Sequence, residues 1–193
     1  MAGRPREFDE DQVLDRALDV FWERGYEATS VSDLMAATGL AKGSLYKAFG
    51  DKRQLFLRAL ERYLEQGRDG LSDVARADSA KAALRFWLTN IVSMATCTGV
   101  RKGCMAVNCT VELAPHDEEL RDVLRRQERS VERVYARLIA RGIDQGEFRQ
   151  DLDPEASARW ITTLVDGLQV RGKLGLTKAA GMETVEMSLS ALS

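Results

Sequence analysis

The densest run of groups able to do chemistry lies between Lys42 and Phe49, K-G-S-L-Y-K-A-F, which carries two ammonium groups, a hydroxyl and a phenol but no carboxylate. Wound as a helix, Leu45, Ala48 and Phe49 turn inward. Lys42, Ser44, Tyr46 and Lys47 then share an outer face made of donors and cations, with Gly43 leaving the backbone bare between them. Such a face suits phosphate oxygens and the edges of bases.

Catalytic chemistry finds little support elsewhere. His116 is the one histidine, and it sits beside a helix start with no cluster of ligand residues, so no metal is expected. The chain contains no G-x-S-x-G elbow, no H-E-x-x-H and no paired metal triad. Gly167 to Leu174, G-L-Q-V-R-G-K-L, comes within one residue of a phosphate loop. Leu174 replaces the hydroxyl that would hold magnesium, and the glycines end a helix instead of following a strand. An enzyme is therefore not expected, and no cofactor is implied. Three cysteines, Cys97, Cys104 and Cys109, are too few and too irregular for a disulfide framework and contain no C-x-x-C, which favours a reducing cytoplasm. In R-K-G-C, Arg101 to Cys104, two cations and an adjoining helix start would stabilise a thiolate at Cys104.

The donor face needs a platform. Ser30 and Asp33 have capping-box spacing for a helix beginning at Val31, in which Val31, Leu34, Met35 and Thr38 recur at helical period. Gly39 suits a left-handed helix end, and Leu40 can fold back on the helix just left. Helix, short glycine turn and second helix form a helix-turn-helix pattern, in which the second helix enters the major groove. Before it, Asp9 to Arg24 presents Val13, Leu14, Ala17, Leu18 and Phe21 on one face, with Gly25 to stop it. After it, a helix from Lys52 to about Gln66 has Leu55, Phe56, Ala59, Leu60 and Tyr63 inside, and Gly67 and Gly70 are expected to close it. Lys52 at that helix start opposes the macrodipole unless an anion is near. G-R-P-R, residues 3 to 6, forms a basic arm that could reach the duplex through Arg4 and Arg6.

The remaining chain reads as helices joined by short turns: Ser79 to about Thr98, an apolar segment from Cys104 to Ala114, Asp117 to about Arg141, Pro154 to Val170, and Met182 to Leu192. With 45% hydrophobic and 30% charged residues in 193, the composition is that of an ordinary globular protein. Scarce alternating runs indicate an all-α fold. A formal charge of −2 rules out a uniformly basic surface; acids gather on the first helix, bases on the arm and around the recognition helix. The longest uncharged run, Phe86 to Val100, falls short of the ~20 residues of a membrane span, so no membrane segment is expected.

F-W-E-R-G-Y-E-A-T-S-V from Phe21, G-L-A-K-G-S-L-Y-K-A-F from Gly39 and F-G-D-K-R-Q-L-F from Phe49 together resemble the DNA-binding domain of the tetracycline-repressor (TetR) family. One departure is Ala41, where the family often has a Ser or Thr cap. The resemblance implies a three-helix DNA-binding domain over residues 1–60 and a helical ligand-binding and dimerisation domain over 61–193. It implies a regulator, in most such proteins a repressor, that binds a near-palindromic duplex operator as a homodimer and is released by a small hydrophobic inducer. Lys42, Gly43 and Ser44 are expected nearest the bases, with Thr29, Ser30, Tyr46, Lys47 and Lys52 on phosphates. Trp87, Ile91, Met94, Met105, Cys109, Trp160 and Leu164 are the expected inducer lining, and the last two helices the dimer contact. G-C-M at Cys104 is also similar to the G-C-L of some electrophile-sensing members, which makes a thiol-based repressor the alternative. A small helical enzyme or binding protein without a DNA role is a remote one.

Overall fold

The computed structural model describes residues 8–97 and 102–193, and these contain nine α-helices and no strand. Arg4, Arg6 and Arg101 lie outside the described residues, and the helix expected to end near Thr98 ends at Ala95. The chain divides into two compact units, residues up to Glu65 and residues Gln66–Ser193.

The first unit begins with α1 (Glu10–Arg24), whose N-cap Asp9 accepts from the amides of Asp11 and Gln12. Its apolar stripe is buried as expected: Val13, Leu14, Ala17, Leu18 and Phe21. α2 (Val31–Thr38) starts on the complete capping box of Ser30 and Asp33, and Gly39 ends it at φ 73°, ψ 9°, a left-handed conformation that costs glycine nothing. α3 (Lys42–Phe49) follows, then α4 (Lys52–Val74). Phe21, Leu34, Leu45, Phe49, Leu55, Phe56, Ala59 and Leu60 make one core, with the rings of Phe21 and Phe56 edge to face at 5.2 Å.

α4 does not stop near Gln66. It runs through Gly67 and Gly70 to Val74, because the inward stripe continues through Leu64 and Leu71, both buried. Burying those two leucines outweighs the ~1 kcal/mol that each glycine costs inside a helix. A Cβ on Gly70 would lie 3.7 Å from the Trp87 ring, an ordinary contact, so packing there does not demand glycine.

The second unit comprises α5 (Ala80–Ala95), α6 (Met105–Glu112), α7 (Glu118–Asp144), α8 (Pro154–Lys173) and α9 (Lys178–Leu192), with the last turns of α4. α5 runs through the middle and packs on α7, α8 and α9. Its Ala83, Leu84, Leu88, Ile91 and Val92 join Tyr135, Leu138, Ile139, Ala158, Ile161, Leu168, Val185 and Leu189 in the core. Two crossings are close enough to require glycine. A Cβ on Gly172 would meet the Ala95 carbonyl oxygen at 2.5 Å, and one on Gly181 would meet Val92 Cγ1 at 2.6 Å. The start of α5 is held by the turn after α7: the Ala80 amide donates to Gln145 Oε1 (3.1 Å) and the Lys81 amide to Glu147 Oε2 (2.8 Å). α8 and α9 are longer than their apolar stripes suggested. Thr177 caps α9 a turn before Met182 by accepting from the Ala180 amide.

Candidate functional site

On α3, Leu45 and Phe49 point into the core of the first unit, so helical period leaves Lys42, Gly43, Ser44 and Lys47 exposed and Tyr46 half-buried. No side chain caps this helix: Ala41 supplies no acceptor, as its methyl predicts. The first-turn amides and the positive end of the dipole therefore face the same solvent as Lys42. Nothing lies within 4 Å of a Cβ built on Gly43, so packing within the chain does not demand glycine there. A bare backbone at an anion-seeking helix start allows the close approach of an external phosphate or base.

The neighbouring helices hold this face in place. Arg24 reaches Asp33 at 2.5 Å, tying the end of α1 to the start of α2. Asp51 Oδ1 accepts from the Gln54 amide and caps α4. Arg58 pairs with Glu10 (3.0 Å), and Arg62 with Asp15 (2.7 Å) and Asp11 (3.1 Å). Glu10, Asp11 and Asp15 of α1 are thus matched by arginines of α4, while the lysines of α3 make no ion pair among the described contacts.

Two expected phosphate ligands are engaged in hydrogen bonds within the chain. Thr29 is 1% exposed, and its hydroxyl donates to the Gly25 carbonyl at 2.6 Å. It is a buried brace of the α1–α2 turn, because a hydroxyl in an apolar setting must find an internal acceptor. Ser30 is exposed, but its Oγ accepts from the Asp33 amide (3.1 Å) and donates to Asp33 Oδ2 (2.7 Å). Its proton is committed to the cap. Those Ser30 bonds, and then Arg24, hold the Asp33 carboxyl below its usual range. Lys52 stands with Nζ 4.4 Å from the centre of the Tyr26 ring, a cation–π contact that positions it at the start of α4. Tyr26 was not singled out in the sequence, though an aromatic directly after a helix-ending glycine was the available signal.

The seven residues expected to line an inducer site separate. Ile91, Met105 and Cys109 are buried, and Trp87 and Leu164 are half-buried. Met94 (55% exposed) and Trp160 (40%) face outward. α8 buries Ala158, Ile161 and Leu168, and the ~100° step of a helix carries Trp160 off the face that Ile161 occupies. Five of the seven are thus at least partly buried, and two face outward. An open groove of about 550 Å³ lies elsewhere, lined by Val74, Ala77, Ala82, Ala83 and Phe86 with Asp73 and Arg76.

Of the cysteines, Cys109 is buried, and loss of solvent pushes its thiol up to about 12; it is an unreactive core residue. Cys97 is exposed. Cys104 is half-buried at the N-cap of α6, where its side chain makes no capping bond. The Lys173 side chain packs on the preceding residue, since a Cβ on Gly103 would lie 2.9 Å from Lys173 Cε. That brings a third cation toward the R-K-G-C segment from α8. His116 is exposed, and no group of three or more metal-ligating side chains occurs among the described residues.

Polar contacts that were not expected from the sequence also emerge in the second unit. Trp87 Nε1 donates to Tyr135 Oη at 2.8 Å, with Tyr135 2% exposed. Asp166 on α8 is half-buried and its carboxyl is pushed up to about 6, first by burial and then by the carboxylate of Glu128.

Comparison with known proteins agrees with this architecture. Residues 13–59 match the model of bacterial regulatory proteins of the tetR family, and residues 80–186 match the tetracycline repressor-like C-terminal domain. YezE of Bacillus subtilis, an uncharacterised helix-turn-helix transcriptional regulator, is 36% identical over 98% of this chain and 99% of its own. The transcriptional repressor ComR of Escherichia coli is 29% identical over 90% of this chain and 83% of its own. A cysteine mutant of the TetR family regulator CifR, solved with 26 bp double-stranded operator DNA, superposes with a TM-score of 0.86 at 35% identity and covers 99% of this chain and 100% of its own. A family match on each unit, joined to likeness along almost the whole chain, places the protein in the tetR family of helix-turn-helix transcriptional regulators, which bind DNA and are not enzymes.

Proposed function

We propose that the chain is a cytoplasmic transcriptional repressor that binds a near-palindromic operator as a homodimer and leaves it when a small molecule occupies the C-terminal domain. The observation that carries this is the exposed, uncapped start of α3, where Lys42, Gly43, Ser44 and Lys47 present donors beside open backbone. Lys42, Gly43 and Ser44 read bases; Tyr46, Lys47 and Lys52 hold phosphates. One short helix reads few base pairs, and a two-fold dimer doubles the readout. The outer row of α8 suits that contact: Trp160, Val170 and Leu174 are exposed, with Gly167 between them open to close approach, and Met187 is exposed on α9. Likeness to ComR and to the operator-bound CifR mutant supports the DNA role.

Selection of bound duplexes from a random pool tests the reading. A symmetric motif of two half-sites is expected; enrichment of no sequence would remove it.

A second reading, modification of Cys104 as the release signal, is favoured by the thiol's place at the N-cap of α6 with the Lys173 stem nearby. Operator release by hypochlorite in wild type but not in Cys104→Ser, with Cys97→Ser and Cys109→Ser as controls, would support it. Equal release from wild type and Cys104→Ser would assign Cys104 to packing.

A further inference from the structure

The first unit carries three lysines, Lys42, Lys47 and Lys52, and none of them makes an ion pair among the described contacts. Its arginines behave otherwise: Arg24 takes Asp33, Arg58 takes Glu10, and Arg62 takes Asp11 and Asp15. Two of the lysines stand over rings instead. Lys42 Nζ lies 5.6 Å from the centre of the Tyr46 ring, one turn along α3, and Lys52 Nζ lies 4.4 Å from the centre of the Tyr26 ring. The second contact is the closer and the more firmly held. The Tyr26 ring is half-buried, 4.8 Å from the ring of Phe56 and 6.1 Å from that of Phe21, both buried, so the core fixes it before any partner arrives. Lys52 is half-buried beside it, and one oxygen of the adjacent Asp51 carboxylate is engaged by the Gln54 amide at 2.8 Å.

A cation can be held by a carboxylate or by the face of a ring, and the two differ in what is left over. An ion pair cancels the charge, so a phosphate would have to displace the acid. A ring attracts through its quadrupole and leaves the charge uncancelled. An ammonium has three donors; the ring covers one side, and the other side stays open to phosphate oxygens. A lysine on its flexible four-carbon stem must otherwise be ordered when DNA binds, and that lost freedom subtracts from affinity. Held over a ring that the core has fixed, Lys52 loses the same freedom during folding. The ring face also offsets the unfavourable end of the α4 dipole while no DNA is present.

We propose that Tyr26 is a positioning residue for DNA binding: its ring holds the Lys52 ammonium at the start of α4 without cancelling its charge, ready for a phosphate of the duplex. The assignment rests on reading Lys52 as a phosphate contact, and it gives a DNA-binding role to an aromatic that lies outside the recognition helix.

Phenylalanine and pentafluorophenylalanine, introduced in turn at position 26 of the full-length protein, test it, since the two rings share a shape and only the first has a negative face. Affinity for the duplex most enriched from the random pool is measured across a salt series, with Lys52 intact and with Lys52→Ala. Tyr26→Phe is expected to bind within about twofold of wild type. The fluorinated ring is expected to bind about three- to tenfold more weakly at every salt concentration with an unchanged slope, because Lys52 still neutralises its phosphate but must be ordered on binding. In Lys52→Ala, whose slope should flatten by up to ~1, the two rings should bind alike. A packing defect would instead weaken binding in both backgrounds. Equal affinities of the two rings beside an intact Lys52, an equal loss in Tyr26→Phe, or a difference that persists in Lys52→Ala would overturn the role of Tyr26. A flattened slope in Lys52→Ala with no effect of fluorination retains Lys52 on phosphate and removes Tyr26 alone; an unchanged slope and affinity in Lys52→Ala removes both.

Discussion

The two units treat polar groups in opposite ways. In the first, the polar side chains at helix ends and between helices are matched: Asp9 and Ser30 cap, Asp33 takes Arg24, Thr29 closes on Gly25, and Arg58 and Arg62 answer the acids of α1. The exposed lysines of α3 make no ion pair among the described contacts. In the second unit Thr162 Oγ1, Arg121 Nε and Arg141 Nε are buried without a hydrogen bond, and the half-buried Asp166 carboxyl is pushed up by burial. A reading head has to hold one shape and offer its free donors to a large anion.

The largest way to break the contrast is to remove the core on which α3 stands. Phe56→Ala deletes a ring that packs on Phe21 and Tyr26 and should cost ~3–5 kcal/mol, read as a lowered denaturant midpoint and lost operator binding. In the second unit Gly172→Ala should cost ~1–3 kcal/mol, because the added carbon meets the Ala95 carbonyl oxygen and both helices must part. A midpoint unchanged from wild type would mean that α5 and α8 are not packed as closely as described.

Lys47→Ala sharpens the comparison on the side of the reading head. Operator affinity should fall by about tenfold, and the slope of log affinity against log salt should flatten by up to ~1. Thr29→Val, by contrast, should leave that slope alone and lower stability by ~1 kcal/mol, since Thr29 bonds to Gly25 and not to phosphate. A flattened slope in Thr29→Val would return Thr29 to the phosphate set.

Asp166 gives the smallest effect and a defined sign. Its folded pKa, about 6, lies above the ordinary value of 3.8, so between these pH values the folded chain binds more protons than the unfolded one. Stability from this group is present at low pH and declines as pH rises from about 4 to about 6. Asp166→Asn should therefore raise the unfolding free energy at pH 7.5 by about 1 kcal/mol, after solvent screening of a half-buried group, and change it little near pH 4. Thermal melts of both proteins at the two pH values check it. Equal gains at both would assign the effect to packing.

Local patterns carried most of the first unit. The Ser30–Asp33 box, the glycine ends at Gly25 and Gly39, the uncapped Ala41 and the outward side of α3 follow from contacts within four residues, where type and spacing are sufficient. The donor face of α3 and the helix-turn-helix spacing pointed to DNA, and the TetR-like residues around Gly39 and Phe49 separated that reading from an ordinary pair of packed helices.

Tertiary structure decided the rest. Whether Thr29 faces phosphate or Gly25, and whether Met94 and Trp160 face a ligand or solvent, depends on which helix lies alongside. The continuation of α4 past Gly67 depends on what Leu71 is buried against. The same holds for Asp166, an ordinary acid within an amphipathic helix until Glu128 of another helix is placed beside it and water is withdrawn. Sequence determines which faces are apolar and where helices begin and end, because those are short-range free energies. It leaves open which faces meet, since that is settled by the whole core at once, and an unpaired buried charge exists only after they have met.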